Sequence, residues 1–227
     1  QDFRALEKTA AEYTGILEQV DHRAAIFPHL AYRQATHNLL HGDRNFWILD
    51  GAHFEAVRME RIEATGYQLC QLHLAKLVLA YLAGQNDQAL LSLDVLRRYD
   101  ANMIATYGQA ISAFYDALCH IPLWSAARGP LRRELSRRIQ ARLRQLRLWS
   151  RHAPENFLHK LQLVEAEQAR FQGRIPRAME LYRLAADAAR EQEYFLEAGI
   201  AYERSADFYR SIGEQLIARK LLREAVY

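Results

Sequence analysis

A forty-residue slide lays the end of this chain on itself. Ala166 falls on Ala206, Arg170 on Arg210, Gly173 on Gly213, Ala178 on Ala218 and Ala185 on Ala225. Fixed points that are mostly small, with one glycine per copy, restrict the fold sharply. Small side chains let two antiparallel helices approach closely, and glycine closes the short turn between them. The repeated unit is therefore a helical hairpin, and hairpins of this kind bury their apolar faces by stacking.

The turn and second helix of each copy, QGRIPRAMELYRLA and its partner ending at Ala225, resemble the tetratricopeptide (TPR) pattern. The landmarks are the turn glycine (Gly173, Gly213), a small residue five later (Ala178, Ala218), a large one four beyond (Tyr182, Leu222) and a closing alanine (Ala185, Ala225). The first helices match less well, keeping Ala166 and Ala206 and placing Tyr202 and Tyr209 at aromatic positions in the second copy only. TPR units repeat at about 34 residues, so a spacing of forty implies longer helices.

Upstream, apolar residues from Phe3 to Val20 recur at three and four, marking one helix. A second is expected from Ala24 or Pro28 to Leu40, ended by Gly42-Asp43. FWILDGAHF (Phe46–Phe54) has an apolar start but no partner strand anywhere in the chain, so it reads as loop and helix entry. The run from Gly66 to Leu82 is apolar on most of its circumference and should be buried on several sides. Gly84, Ala89 and Leu93 then echo the C-terminal turn spacing, giving a degenerate hairpin over 66–99. A helix over Met103–His120 is expected to break at Pro122, and a long one opens at Gly129-Pro130 and runs to about Arg151.

The expected fold is an all-α, TPR-like α-solenoid of stacked antiparallel hairpins with 10–11 helices. It forms one helical-repeat domain over 1–227, divided into N-terminal helices (1–65), degenerate hairpins (66–125), a basic helix (129–151) and two clear repeats (155–227). Half the residues are apolar and only ten glycines and five prolines interrupt them, as a folded helical chain requires. A net charge of +3 is too small to imply a polyanionic partner. No run of eighteen apolar residues marks a membrane span. Cys70 and Cys119, without metal spacing, read as free buried thiols, which together with the absence of an Asn-x-Ser/Thr site fits the cytoplasm. The chain, starting at Gln1 and ending inside a helix, is expected to be a piece of a longer polypeptide.

Three constellations stand out. The first helices of the C-terminal pair carry Glu167, Arg170, Glu203, Asp207 and Arg210 at offsets facing the inner side of a TPR-like stack. They line a mixed-charge groove for a peptide or helix, or else pair with one another along the stack. The long helix and Arg128 just before it carry nine arginines against Glu134 alone, and Arg133, Arg137, Arg144 and Arg147 define a basic docking face. With Trp149 as its one aromatic, it lacks the interleaved rings of nucleic-acid readers, so nucleic acid is a poor partner. His37 and His41 sit one turn apart and could share a metal with His53 or Asp50, but Asn38 stands where a zincin has glutamate. No nucleophile elbow or phosphate loop is present. No catalytic residue, resident metal or cofactor is therefore expected, and a metal-dependent helical enzyme is the rival reading.

Beyond the generic pattern, the run from Trp149 to Tyr227 resembles the helical-repeat region of large bacterial sensor kinases. These join a serine/threonine-kinase-like domain and an AAA/STAND ATPase to helical repeats, a GAF sensor and a histidine kinase. The residues that carry the likeness are Ala153-Pro154, Asn156, His159-Lys160, Leu163 to Glu167, Gly173, Ala206, Phe208-Tyr209, Gly213 and Ala218. LLHG with FWILDGAHFEA and ALCHIPLW are compatible with it. The resemblance implies a non-catalytic regulatory scaffold in a two-component signalling protein, its chemistry lying in other domains. Helical sensors of ATP-dependent transcription activators are the other family implied.

Overall fold

The computed structural model describes residues 3–20, 23–42, 44–54 and 64–225. Among them the chain is all-α, with ten α-helices and no strand: α1 (Phe3–Gln19), α2 (Arg23–His41), α3 (Gly66–Leu82), α4 (Asn86–Arg98), α5 (Tyr107–Ala126), α6 (Gly129–His152), α7 (Pro154–Phe171), α8 (Ile175–Glu191), α9 (Phe195–Ser211) and α10 (Gln215–Glu224). A short 3-10 turn, Asp100–Met103, joins α4 to α5. Consecutive helices pack as hairpins, so the fold is the helical repeat that the glycine and alanine spacing predicts. The chain divides into two compact units, Gln1–Tyr115 and Asp116–Tyr227, the division falling within α5.

In the first unit α1 pairs with α2 and α2 with α3. Their core gathers Phe27, Ala31, Leu72, Ala75 and Leu79 with Leu49 and Phe54 of the FWILDGAHF segment. That segment is built of turns, as the lack of a partner strand requires. Two amides on α2 satisfy its backbone. Asn38 Nδ2 donates to the carbonyls of Phe46 (2.9 Å) and Ile48 (2.8 Å), and Gln34 Oε1 accepts from the His53 N–H (2.8 Å). The helix entry expected after it lies outside the described residues. A capping box between Thr65 and Gln68 starts α3, whose apolar circumference is buried from Cys70 to Ala80. Both cysteines are free and buried, and burial pushes the Cys119 thiol up to about 12.

In one place the helix signals mislead. α5 begins at Tyr107, after the 3-10 turn, and continues through Pro122 to Ala126 instead of breaking there. Proline removes only its own N–H and leaves the carbonyl four residues back without its usual donor. Burial of Phe114, Ala117, Leu118 and Ile121 offsets that loss.

In the second unit α7–α8 and α9–α10 are the two repeats, and their alanines are the contact points. Ala166, Ala178, Ala185, Ala206 and Ala218 are all buried. The turns after α3, α7, α8 and α9 are copies of one another. Each has a residue in the left-handed region (Gly84, Gly173, Glu193, Gly213, with φ 69°, 71°, 60° and 91°). The next N–H then bonds the carbonyl five residues back, Ala80, Ala169, Ala189 or Tyr209, at 2.8–2.9 Å. This is the Schellman closure of a helix.

Three of these turns carry glycine; the third carries an exposed glutamate. A left-handed non-glycine residue costs about 1–2 kcal/mol. Glu193→Gly should therefore stabilise the protein by about 1 kcal/mol and raise its melting temperature by about 2–4 °C. Gly173→Ala should do the reverse. No atom lies within 4 Å of the Cβ it would add, so the loss is purely conformational. Calorimetry of the two variants checks both signs, and equal melting temperatures would remove the strain.

Candidate interaction surfaces

The predicted first-helix residues of each copy pair along their own helix. Arg204 lies 3.5 Å from both Glu203 and Asp207, and Arg210 bonds Asp207 at 2.9 Å. Glu167 does not face an open groove. It is 5% exposed and accepts a short hydrogen bond from the Tyr182 hydroxyl, with Arg170 at 3.5 Å. Burial pushes the Glu167 carboxyl above its ordinary range, while Tyr182, Arg170 and Arg204 oppose that rise. Glu203, Asp207 and Arg210 keep partial exposure.

An open groove of about 380 Å³ lies instead between the second helices α8 and α10, floored by α9. Met179, Tyr182 and Ala186 form one wall, Ile217 and Leu221 the other, and Tyr202 and Tyr209 the floor. Glu180, Arg183 and Asp187 stand at its edge. The sequence signal for it was the strong amphipathicity of α10, where Ala218 is the buried residue while Leu216 is 81% and Ile217 40% exposed. An apolar stripe left open on a stacked helix is an ordinary seat for another helix.

On α6 the arginines divide into two sets. Leu135, Ile139, Leu143 and Leu146 are buried and orient the helix. Arg138 and Arg142 turn inward to Asp116 of α5, with Nε–carboxylate distances of 2.8 and 2.6 Å. The Asp116 side chain is 1% exposed, and His120 Nδ1, which bonds the Asp116 main-chain carbonyl at 2.8 Å, lies 2.9 Å from its carboxylate. Burial by itself would push this carboxyl up, but His120, Arg142 and Arg138 outweigh it and hold the group far below the usual range.

Of the proposed docking face, Arg133, Arg137 and Arg144 are exposed and, among the described residues, have no carboxylate partner. Arg147 is engaged by Glu165, at 2.7 Å. Arg151 takes its place, so Arg133, Arg137, Arg144 and Arg151 share one side of α6 over about 27 Å. Arg132 stacks on Trp124 at 4.8 Å.

A buried polar cluster joins α7 to α9. Lys160 is fully buried, with Nζ 2.8 Å from Glu197 and 4.3 Å from the Tyr194 ring centre. It also donates to His159 Nε2 at 2.8 Å. His159 stacks on Tyr194, whose hydroxyl donates to Asn156 at 2.6 Å. Burial, with a smaller contribution from Lys160, lowers His159 to about 3. Its geometry is that of an internal strut between first helices.

The class these surfaces define is an all-α helical-repeat protein with an open apolar groove and a separate basic face. No helix among the described residues is long and apolar enough to cross a membrane. Compared with protein-family models, characterised proteins and solved structures, the chain matches none of them.

Proposed function

We propose that this chain is a non-catalytic TPR-like interaction and signal-relay scaffold, acting in the cytoplasm as a regulatory segment of a large bacterial signalling kinase or ATPase. The observation that carries this reading is the groove between α8 and α10, where an apolar centre and a charged edge suit an amphipathic helix. The partner is a protein or peptide, in the first instance another domain of the same parent polypeptide. The arginine row on α6 supplies a second contact, suited to an acidic segment of that parent. Each hairpin touches only its neighbours, so occupation of one groove repacks the next hairpin and passes the signal along the stack.

The test uses segments encoded on either side of this chain, added in trans and titrated calorimetrically. Met179→Glu and Ile217→Glu, both at partly exposed positions, should weaken binding at least about tenfold by placing charge in the apolar centre. Arg170→Glu and Arg210→Glu probe the first-helix side and should change it little. Binding lost only in the arginine variants would move the site to the first helices. Flanking sequence holding a DNA-binding module instead of a kinase or GAF segment would favour the transcription-activator relative, and no binding by any flanking segment would remove the relay.

A further inference from the structure

The histidine pair on α2 acquires a third group from a distant part of the chain. Glu7 on α1 reaches both rings, His37 Nδ1 at 2.9 Å from Oε1 and His41 Nε2 at 3.2 Å from Oε2. One ligand atom from each residue lies within 4.8 Å of the other two. Tetrahedral coordination with bonds of about 2.0–2.1 Å separates neighbouring ligand atoms by roughly 3.3 Å. The two carboxylate–imidazole separations, each to its own oxygen of Glu7, are close to that, and the widest separation, within 4.8 Å, closes by side-chain rotation. An ion would replace the protons that now sit between nitrogen and oxygen, with small side-chain movement.

The surroundings fit a site better than a plain surface ion pair. A carboxylate needs one cation, yet three imidazoles gather here, since the His53 ring lies 5.1 Å from that of His37 and His41 lies 4.8 Å from it on another side. His53 is held in place by its backbone bond to Gln34. His37 and His41 also line an open cavity of about 420 Å³, whose other walls include Asn38, Asn45 and Asp50. That cavity leaves room for water or a small ligand in the remaining coordination positions.

We propose that Glu7, His37 and His41 form a binding site for one divalent transition-metal ion of the imidazole-preferring class, of which zinc is the probe. Two imidazoles and one carboxylate select such ions over magnesium or calcium, which take oxygen ligands. Bound there, the ion ties α1 to α2. Among the described residues α1 has Thr14 as its one buried side chain, and it leaves Tyr13 and Ile16 more than half exposed. The site stands independently of the scaffold reading, because it lies in the first unit and the groove in the second.

The full chain, stripped with chelator and dialysed, is titrated with Zn2+ against a chromophoric indicator and with Co2+ by visible absorption. One equivalent should bind. Glu7→Gln and His41→Ala should each weaken it by about 100-fold or more, a ligand mattering at least as much as the groups that orient ligands. His152→Ala, an exposed histidine of the second unit, should leave it unchanged. His41 is 52% exposed, so its loss leaves the fold intact, which circular dichroism verifies. Equal affinity in wild type and His41→Ala, or loss of binding in His152→Ala alone, overturns the site.

Discussion

Replacing Asp116 by alanine is expected to remove about 3–5 kcal/mol of stability, because it leaves two guanidiniums and a buried histidine facing an emptied site. Arg138 and Arg142 keep only 23% and 20% of their side-chain surface, so neither regains full hydration when its acceptor goes, and His120, 7% exposed, keeps only its main-chain acceptor. Asp116→Asn, which retains an acceptor oxygen, should cost less than the alanine. Chemical unfolding followed by circular dichroism gives both values; a loss below about 1 kcal/mol for the alanine would demote the cluster to an ordinary surface pairing. The acid dependence has a definite sign. A carboxyl held below its unfolded value contributes stability above about pH 4 and surrenders it as the pH falls further.

The second large effect concerns Lys160. Glu197→Ala strands a fully buried ammonium and should cost about 3–5 kcal/mol. The paired replacement Lys160→Met with Glu197→Leu should be neutral or stabilising, since neither charge then has to be desolvated. His159 adds a pH signature in a different window. It titrates near 6.5 when unfolded and at about 3 when folded, so the unfolded chain binds the extra proton and stability falls as pH drops below 6.5. Between pH 6.5 and 4 the expected loss is about 3 kcal/mol. His159→Phe should flatten that slope, and an unchanged slope would mean the ring is hydrated.

How much of this was legible in the residues depends on the range of the interaction concerned. The hairpins at Gly84, Gly173 and Gly213 were legible because their signal is local: a glycine, then an alanine five residues on. The turn at Glu193 was not, since the backbone adopts the same conformation there without the residue that usually announces it. Pro122 misled for the opposite reason, a strong local breaker being overridden by burial around it. The two arginine sets on α6 share one composition, and only the position of Asp116 on a different helix separates inward from outward members. Glu7 lies thirty residues from His37, so no spacing rule could join them. Glu167 failed as a groove residue because helical offset sets direction and does not tell which neighbour will cover that direction.

The likeness among the turns has a consequence for how such a protein changes length. Arg174 and Glu214 have nearly identical backbone angles, φ −84° in both and ψ 67° and 64°, forty residues apart, and Tyr194 shares them halfway between. A cut made at Arg174 and Glu214, two rods apart, leaves ends of matching direction. Rods can thus be added or deleted in pairs at one standard seam, with no new connector to invent and no rod re-aimed.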